Sequence, residues 1–157
     1  MNARIMSDGK LRVENVTGND IKFRHFSGEK DRYHGQGERD FNLAISDEFA
    51  EELTVAGWRV KFGKEKNDGS GERYPAMIKV KVNYASYKPP IITRFTSLGH
   101  VELDEELVKD IDHDQIESAA MIIQPYLSKN SEDGKYTPYL ENMRYKIEED
   151  PFEGMYE

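Results

Sequence analysis

The stretch PAMIKVKVNY (75–84) constrains this chain most, because it alternates with a period of two. Ile78, Val80 and Val82 fall on one side, and Met77, Lys79, Lys81 and Asn83 on the other. That period belongs to a strand, whose neighbouring side chains point to opposite faces of a sheet. Three more segments follow the rule. In IKFRHF (21–26) Ile21, Phe23 and His25 oppose Lys22, Arg24 and Phe26. In WRVKF (58–62) Trp58, Val60 and Phe62 oppose Arg59 and Lys61. In IITRF (91–95) Ile91, Thr93 and Phe95 oppose Ile92 and Arg94. None of the four carries a carboxylate on its outer side. Lysine commonly guards exposed strands against aggregation, but ordinary solvated faces mix both signs. The expectation is one cationic sheet face built from Lys22, Arg24, Arg59, Lys61, Lys79, Lys81 and Arg94.

The remaining segments support a mostly β chain with one or two short helices. KLRVENV (10–16) reads as a strand paired with 21–26 through the turn TGND, and RDFNLAI (39–45) as another. SDEFAEELTVAG (46–57) reads as a helix, with Ser46 or Asp47 as its cap, acids in its first turn and Gly57 at its end. WRVKFGK (58–64), 76–84, IITRFTS (91–97), SAAMIIQPYL (118–127) and TPYLENMRYKI (137–147) complete the strands, and DEELVKDI (104–111) is a second short helix. Short strands with intercalated helices suggest a small β-barrel or a curved α+β sheet.

Charge divides the chain. Residues 1–100 hold 17 Lys+Arg against 14 Asp+Glu, a net of +3; residues 101–157 hold 5 against 16, a net of −11. The overall −8 therefore belongs to the last third and leaves room for a basic face earlier. There is no cysteine, which removes disulfides and thiolate chemistry. MNARIMSDGKLRVENV lacks an apolar signal core and no run is long enough to span a bilayer, so a cytoplasmic location without membrane partners is expected.

Aromatics accompany the cations. Phe26 shares their parity, and Tyr33, Tyr74, Tyr84 and Tyr87 lie in or beside the flanking loops. A charged groove that follows phosphates, with aromatic platforms for bases, is the physical recipe for holding single-stranded nucleic acid. Loop cations Lys30, Arg32 and Lys88 extend such a groove. The end of the chain, IEEDPFEGMYE, sets Phe152, Met155 and Tyr156 among Glu148, Glu149, Asp150 and Glu153. Acids with embedded apolar anchors suit docking onto basic partner proteins, and Pro151 and Gly154 disfavour regular structure.

Signatures of catalysis fail. Asp110, Asp112 and Asp114 begin like a calcium loop, but Gln115 replaces the required glycine and Met121 the closing glutamate. GQGERD lacks the third glycine of a dinucleotide loop. His25 and His34 are nine residues apart, and His100 and His113 stand alone. No metal, cofactor or enzymatic activity is expected.

A cationic, aromatic β face followed by an acidic, anchored tail resembles the single-stranded-DNA-binding proteins of bacteria and tailed phages. KFRHFSGEKDRYH, AEELTVAGWRVKF, YPAMIKVKVNY, KPPII and RYKIEEDPFE also resemble small proteins widespread in tailed-phage genomes. The resemblance implies an OB-like barrel over residues 1–147 and a flexible acidic tail over 148–157. It implies sequence-nonspecific binding of single-stranded DNA, with RNA left open, in phage replication or recombination. The tail, with Glu148, Glu149, Asp150, Phe152, Glu153, Met155 and Tyr156, would recruit replication or recombination proteins. The bacterial proteins' glycine- and glutamine-rich linker is missing here. The competing reading is an acidic protein-interaction module that ignores nucleic acid, with a metal-dependent nuclease third. Self-association stays open.

Overall fold

The computed structural model describes residues 1–149. Nine strands form one sheet: β1 (Asn2–Ile5), β2 (Leu11–Val16), β3 (Ile21–His25), β4 (Asp40–Ile45), β5 (Ala76–Lys81), β6 (Ile91–Thr96), β7 (Gly99–Glu102), β8 (Ile116–Tyr126) and β9 (Thr137–Ile147). One helix, α1 (Asp47–Val55), and short 3-10 turns at Gly18–Asp20 and Val108–Asp112 complete the fold. The main path runs β1-β2-β8-β9-β5-β4-β3, with β6 on β9 and β7 on β6. The sheet curls as in a small OB-like barrel but does not close among the described residues.

β9 organises the curl. Its whole length pairs antiparallel with β8. On its other edge β5 joins in parallel at Tyr139, and β6 joins in parallel from Asn142 to Lys146. Two strands thus follow one another along one edge of β9, β5 at its start and β6 further on. The curl encloses a core that includes Leu11, Val13, Phe41, Leu43, Ile78, Val80, Ile92, Met121, Ile123, Met143 and Tyr145. α1 covers it with Phe49, Ala50 and Leu53. Ser46 caps that helix by accepting from the Phe49 N–H at 3.1 Å, and Gly57, at φ +92°, provides the left-handed step that ends it.

Several expectations need correction. β2 and β3 do not pair with each other; β2 lies between β1 and β8, and β3 pairs with β4. Residues 58–64 form no regular strand. They run as an arm along β5, held by isolated bridges from Trp58 to Tyr136 and from Lys61 to Met77. The arm returns past Gly63, whose absent side chain is a requirement: an added Cβ would sit 1.7 Å from the Tyr74 carbonyl oxygen. The second helix is a short 3-10 turn only. The strands β1 and β7 were not foreseen; both are only four residues long, and β7 lacks any alternation in burial.

The parity of β3 breaks as well. Its register with β4 slips between Lys22 and His25, where Phe23 adopts φ +52°. Such a bulge adds a residue on one strand and reverses which side later residues face. Phe23, assigned to the core by alternation, is 72% exposed. Phe26, assigned to the cationic face, is fully buried and stacked on Phe41 with 5.3 Å between ring centres. Burying a ring of that size stabilises by about 2–3 kcal/mol, which offsets the strained backbone of the bulge.

Candidate nucleic-acid interface

The lysines converge where β3, β4, β5 and β9 lie side by side. Lys22 sits opposite Asn42, and Asn42 opposite Lys79. In the next row of that face His25, Asp40, Lys81 and Tyr139 are consecutive cross-strand neighbours. The arm brings Lys61 opposite Met77 through reciprocal backbone hydrogen bonds of 2.9 and 2.8 Å. Two shallow depressions result. One, of about 360 Å³, is lined by Arg59, Val60, Lys61, Lys79, Lys81, Thr137 and Pro138. The other, of about 290 Å³, is lined by Gly37, Glu38, Arg39, Asp40, Lys79, Lys81, Val82, Asn83 and Tyr139. Lys79 and Lys81 line both, so the two make one shallow trough across the sheet.

The trough is not free of acid. β4 contributes Asp40, only 6% exposed, 3.5 Å from the Lys79 ammonium. Its other partner is His34, whose Nε2 lies 3.0 Å from Oδ1. Burial alone pulls the His34 pKa down, but hydrogen bonds with Asp40 and Asp31 outweigh it and hold the ring above the ordinary histidine value. Arg59 is clamped by Asp133 through two contacts of 2.6 and 2.9 Å. That clamp, first, and the Ser131 hydroxyl hold the Asp133 carboxyl well below its usual range. Lys22, Lys61 and Lys81 carry no ion pair among the described residues.

Two expected members lie elsewhere. Arg24, carried past the bulge, donates to the backbone carbonyls of Ile111 (2.9 Å), Asp114 (2.6 Å) and Gly18 (3.1 Å). Arg94 sits on β6 beside Tyr145 and pairs with Asp110 at 3.3 Å and Asp114 at 3.7 Å. Both are bound to the 108–114 segment and belong to the scaffold. The aspartates that mimic a calcium loop have the same role. Asp112 accepts from the Phe26 and Ser27 N–H groups at 2.7 and 3.1 Å, and Asp114 accepts from the Tyr145 hydroxyl at 2.7 Å.

The aromatics also divide. Tyr33, Tyr74 and Tyr87 are exposed on loops. Arg32 lies 5.7 Å from the Tyr33 ring centre and Lys66 5.6 Å from that of Tyr74. Lys30 and Lys88 are exposed on the same loops as Tyr33 and Tyr87. Tyr84 is instead half-buried: its hydroxyl donates to the Leu103 carbonyl at 3.3 Å, Arg39 lies over its ring, and burial pushes its pKa up to about 12. Sequence reading missed Tyr139, which lines the trough beside Lys81, and Tyr126, set edge-on to it at 5.3 Å. Simple alternation hid Tyr139, since it shares parity with the buried Met143 and Tyr145 and reaches the outer face only through an irregularity in the β8–β9 pairing.

Of the tail, Glu148 and Glu149 are fixed: the Glu148 N–H donates to the Gln115 carbonyl, and Glu149 accepts from the Ser97 N–H at 2.7 Å. Asp150, Phe152, Glu153, Met155 and Tyr156 lie outside the described residues.

The family described as "Putative phage ssDNA-binding domain" matches residues 6–157, nearly the whole chain. The chain belongs to this phage ssDNA-binding family. Solved structures repeat the fold. The single-stranded DNA-binding protein of bacteriophage Enc34, in complex with ssDNA, aligns with a TM-score of 0.56 at 13% identity, covering 96% of this chain and 93% of that one. The same phage protein with a C-terminal truncation gives 0.53 at 13% identity, covering 96% and 93%. A further structure of the single-stranded DNA-binding protein from bacteriophage Enc34 gives 0.53 at 12%, covering 99% and 91%. At this identity the likeness carries the OB-like fold and not individual residues. No curated protein matches the chain. The phage ssDNA-binding family is defined by binding, in keeping with a surface that gathers cations and aromatics. Among the described residues no helix is long and apolar enough to cross a membrane.

Proposed function

We propose that this family member coats single-stranded DNA without strong sequence preference, using the trough between β3 and β9. Lys22, Lys61, Lys79 and Lys81 follow the phosphates; Lys30, Arg32 and Lys88 extend the path along the loops. Bases stack on Tyr139 and on the exposed Tyr33, Tyr74 and Tyr87. Stacking of this kind contributes about 1–3 kcal/mol per base and tolerates any sequence, because every base has a π face. The observation that carries the reading is the cross-strand register that aligns Lys22 with Lys79 and sets Lys81 beside Tyr139. Family membership supports it, as does the Enc34 protein having been solved with ssDNA.

In this reading the protein works in phage DNA replication and recombination, in the host cytoplasm, without catalysis. The acidic C-terminal residues recruit partner proteins. The test is binding of a labelled oligo(dT) across a series of salt concentrations, with duplex DNA and RNA as competitors. Affinity should fall linearly in log–log form, with a slope of about −0.7 per neutralised phosphate. Absence of binding at low salt, or binding without a salt slope, rejects the proposal. A pull-down comparing the full chain with one ending at Ile147 then isolates the tail's role.

A further inference from the structure

Beside the trough, His25 and His34 come together although nine residues separate them in sequence. Their rings stack with centres 3.8 Å apart and planes 12° from parallel. Both are mostly buried, and both turn Nδ1 toward the Asp31 carboxylate: His34 Nδ1 is 2.9 Å from Oδ1 and His25 Nδ1 is 3.5 Å from Oδ2. The donor atoms of the three residues all lie within 4.8 Å of one another. The outer nitrogens are held as well. His25 Nε2 meets the Glu29 carbonyl at 2.8 Å, and His34 Nε2 meets the Asp40 carboxylate. With a metal on Nδ1, an acceptor at Nε2 holds the remaining ring proton, which is how histidine ligands are oriented around metals.

We propose that His25, Asp31 and His34 form a binding site for a divalent transition metal of the zinc type. Two imidazole nitrogens and one carboxylate oxygen make a donor set suited to Zn²⁺, with a fourth position open to water. Bonds of about 2.0–2.2 Å in tetrahedral geometry place donors about 3.3 Å apart, close to the 2.9 and 3.5 Å separations from Asp31; because the two ring planes are nearly parallel, binding turns one imidazole out of the stack so that both Nδ1 lone pairs meet at the ion.

The loop over residues 27–39 depends on this cluster. Asp31 also accepts from the Tyr33 and His34 N–H groups at 2.8 and 2.7 Å, so an ion at Asp31 fixes the backbone that carries Lys30, Arg32 and Tyr33. Asp40, the outer partner of His34, is also the partner of Lys79. The ion would therefore pin the loop to β3 and β4 at the wall of the trough.

The experiment titrates Zn²⁺ alone into metal-free full-length protein by calorimetry and repeats it with Co²⁺ while recording visible absorption. The expected result is one equivalent bound with micromolar or tighter affinity, with the intense visible bands of four-coordinate cobalt. Asp31→Asn and His34→Gln should each weaken binding at least tenfold, while His100→Gln and His113→Gln leave it unchanged. Failure of the unmodified protein to bind one equivalent overturns the proposal, whatever the variants do. So does binding that survives Asp31→Asn, or that is lost equally in His100→Gln. Because the readout is metal binding, its result does not depend on whether the trough binds DNA.

Discussion

Two groups of cations alternate with apolar residues in this chain and end in opposite conditions. On the β3–β4–β5 face, Lys61, Lys79 and Lys81 line a wet trough with Lys22 in register beside it, and of these four only Lys79 forms an ion pair among the described residues, with Asp40. At the 108–114 segment, Arg24 and Arg94 are half-buried and fully engaged by carbonyls and carboxylates. The side-chain chemistry explains the division. A guanidinium presents a planar fork of donors that can join three backbone carbonyls at once, so arginine suits a seam. An ammonium on a flexible stem keeps its hydration and meets moving phosphates as a point charge. Positive charge in a strand pattern therefore reports a surface only when no carbonyl-rich turn lies within its reach.

The comparison breaks most directly at the seam. Arg24→Ala should cost about 3 kcal/mol of stability in a denaturant titration, because it strips the guanidinium from the Ile111, Asp114 and Gly18 carbonyls while leaving the trough intact. DNA affinity of the folded fraction should stay within twofold. The trough should behave the opposite way. Lys79→Glu with Lys81→Glu should weaken oligo(dT) binding by the folded fraction about 100-fold at low salt, roughly 2.7 kcal/mol, far more than Arg24→Ala does. The milder pair Lys79→Ala and Lys81→Ala should reduce the steepness of the salt plot by about 1.4. Tyr139→Ala should lower affinity about tenfold without changing that steepness, since stacking releases no counterions.

The smallest effect sharpens the seam again. Tyr145→Phe removes the hydroxyl donated to Asp114 and should cost about 1 kcal/mol near neutrality. It also changes the alkaline limb. Burial raises the Tyr84 pKa to about 12, and burial together with Asp114 raises that of Tyr145 further. An unfolded tyrosine ionises near 10. Below about pH 10 both contributions are complete; above it only the unfolded chain loses protons, so stability falls as pH rises. Stability measured from pH 9 to 11 should decline less steeply in Tyr145→Phe than in the parent.

How far the sequence reached follows from which rules are local. β5 was found because its alternation runs unbroken, β9 because its apolar residues recur over eleven residues despite one phase shift, and α1 because Ser46 and Gly57 mark its two ends. Lys79 and Lys81 share an unbroken strand, so their common face could be read directly. Phe26, Arg24 and Phe23 were misplaced for one reason: a single left-handed residue shifted the phase of β3. Nothing in IKFRHF marks that shift, since phenylalanine is a poor candidate for positive φ. Arg94 was misplaced because its partners, Asp110 and Asp114, lie in a turn whose position depends on tertiary packing. The His25–Asp31–His34 cluster was hidden because a spacing of nine belongs to no local motif; a loop must fold back to close it.

Gly63 touches no proposed ligand, yet it decides where the trough's outer wall stands. Any larger residue there would collide with the Tyr74 carbonyl and lever the arm bearing Arg59 and Lys61 off its neighbour strand. A genetic screen for lost DNA binding would thus recover position 63 together with the lysines. A surface map drawn from such a screen would place a contact where there is only a hinge.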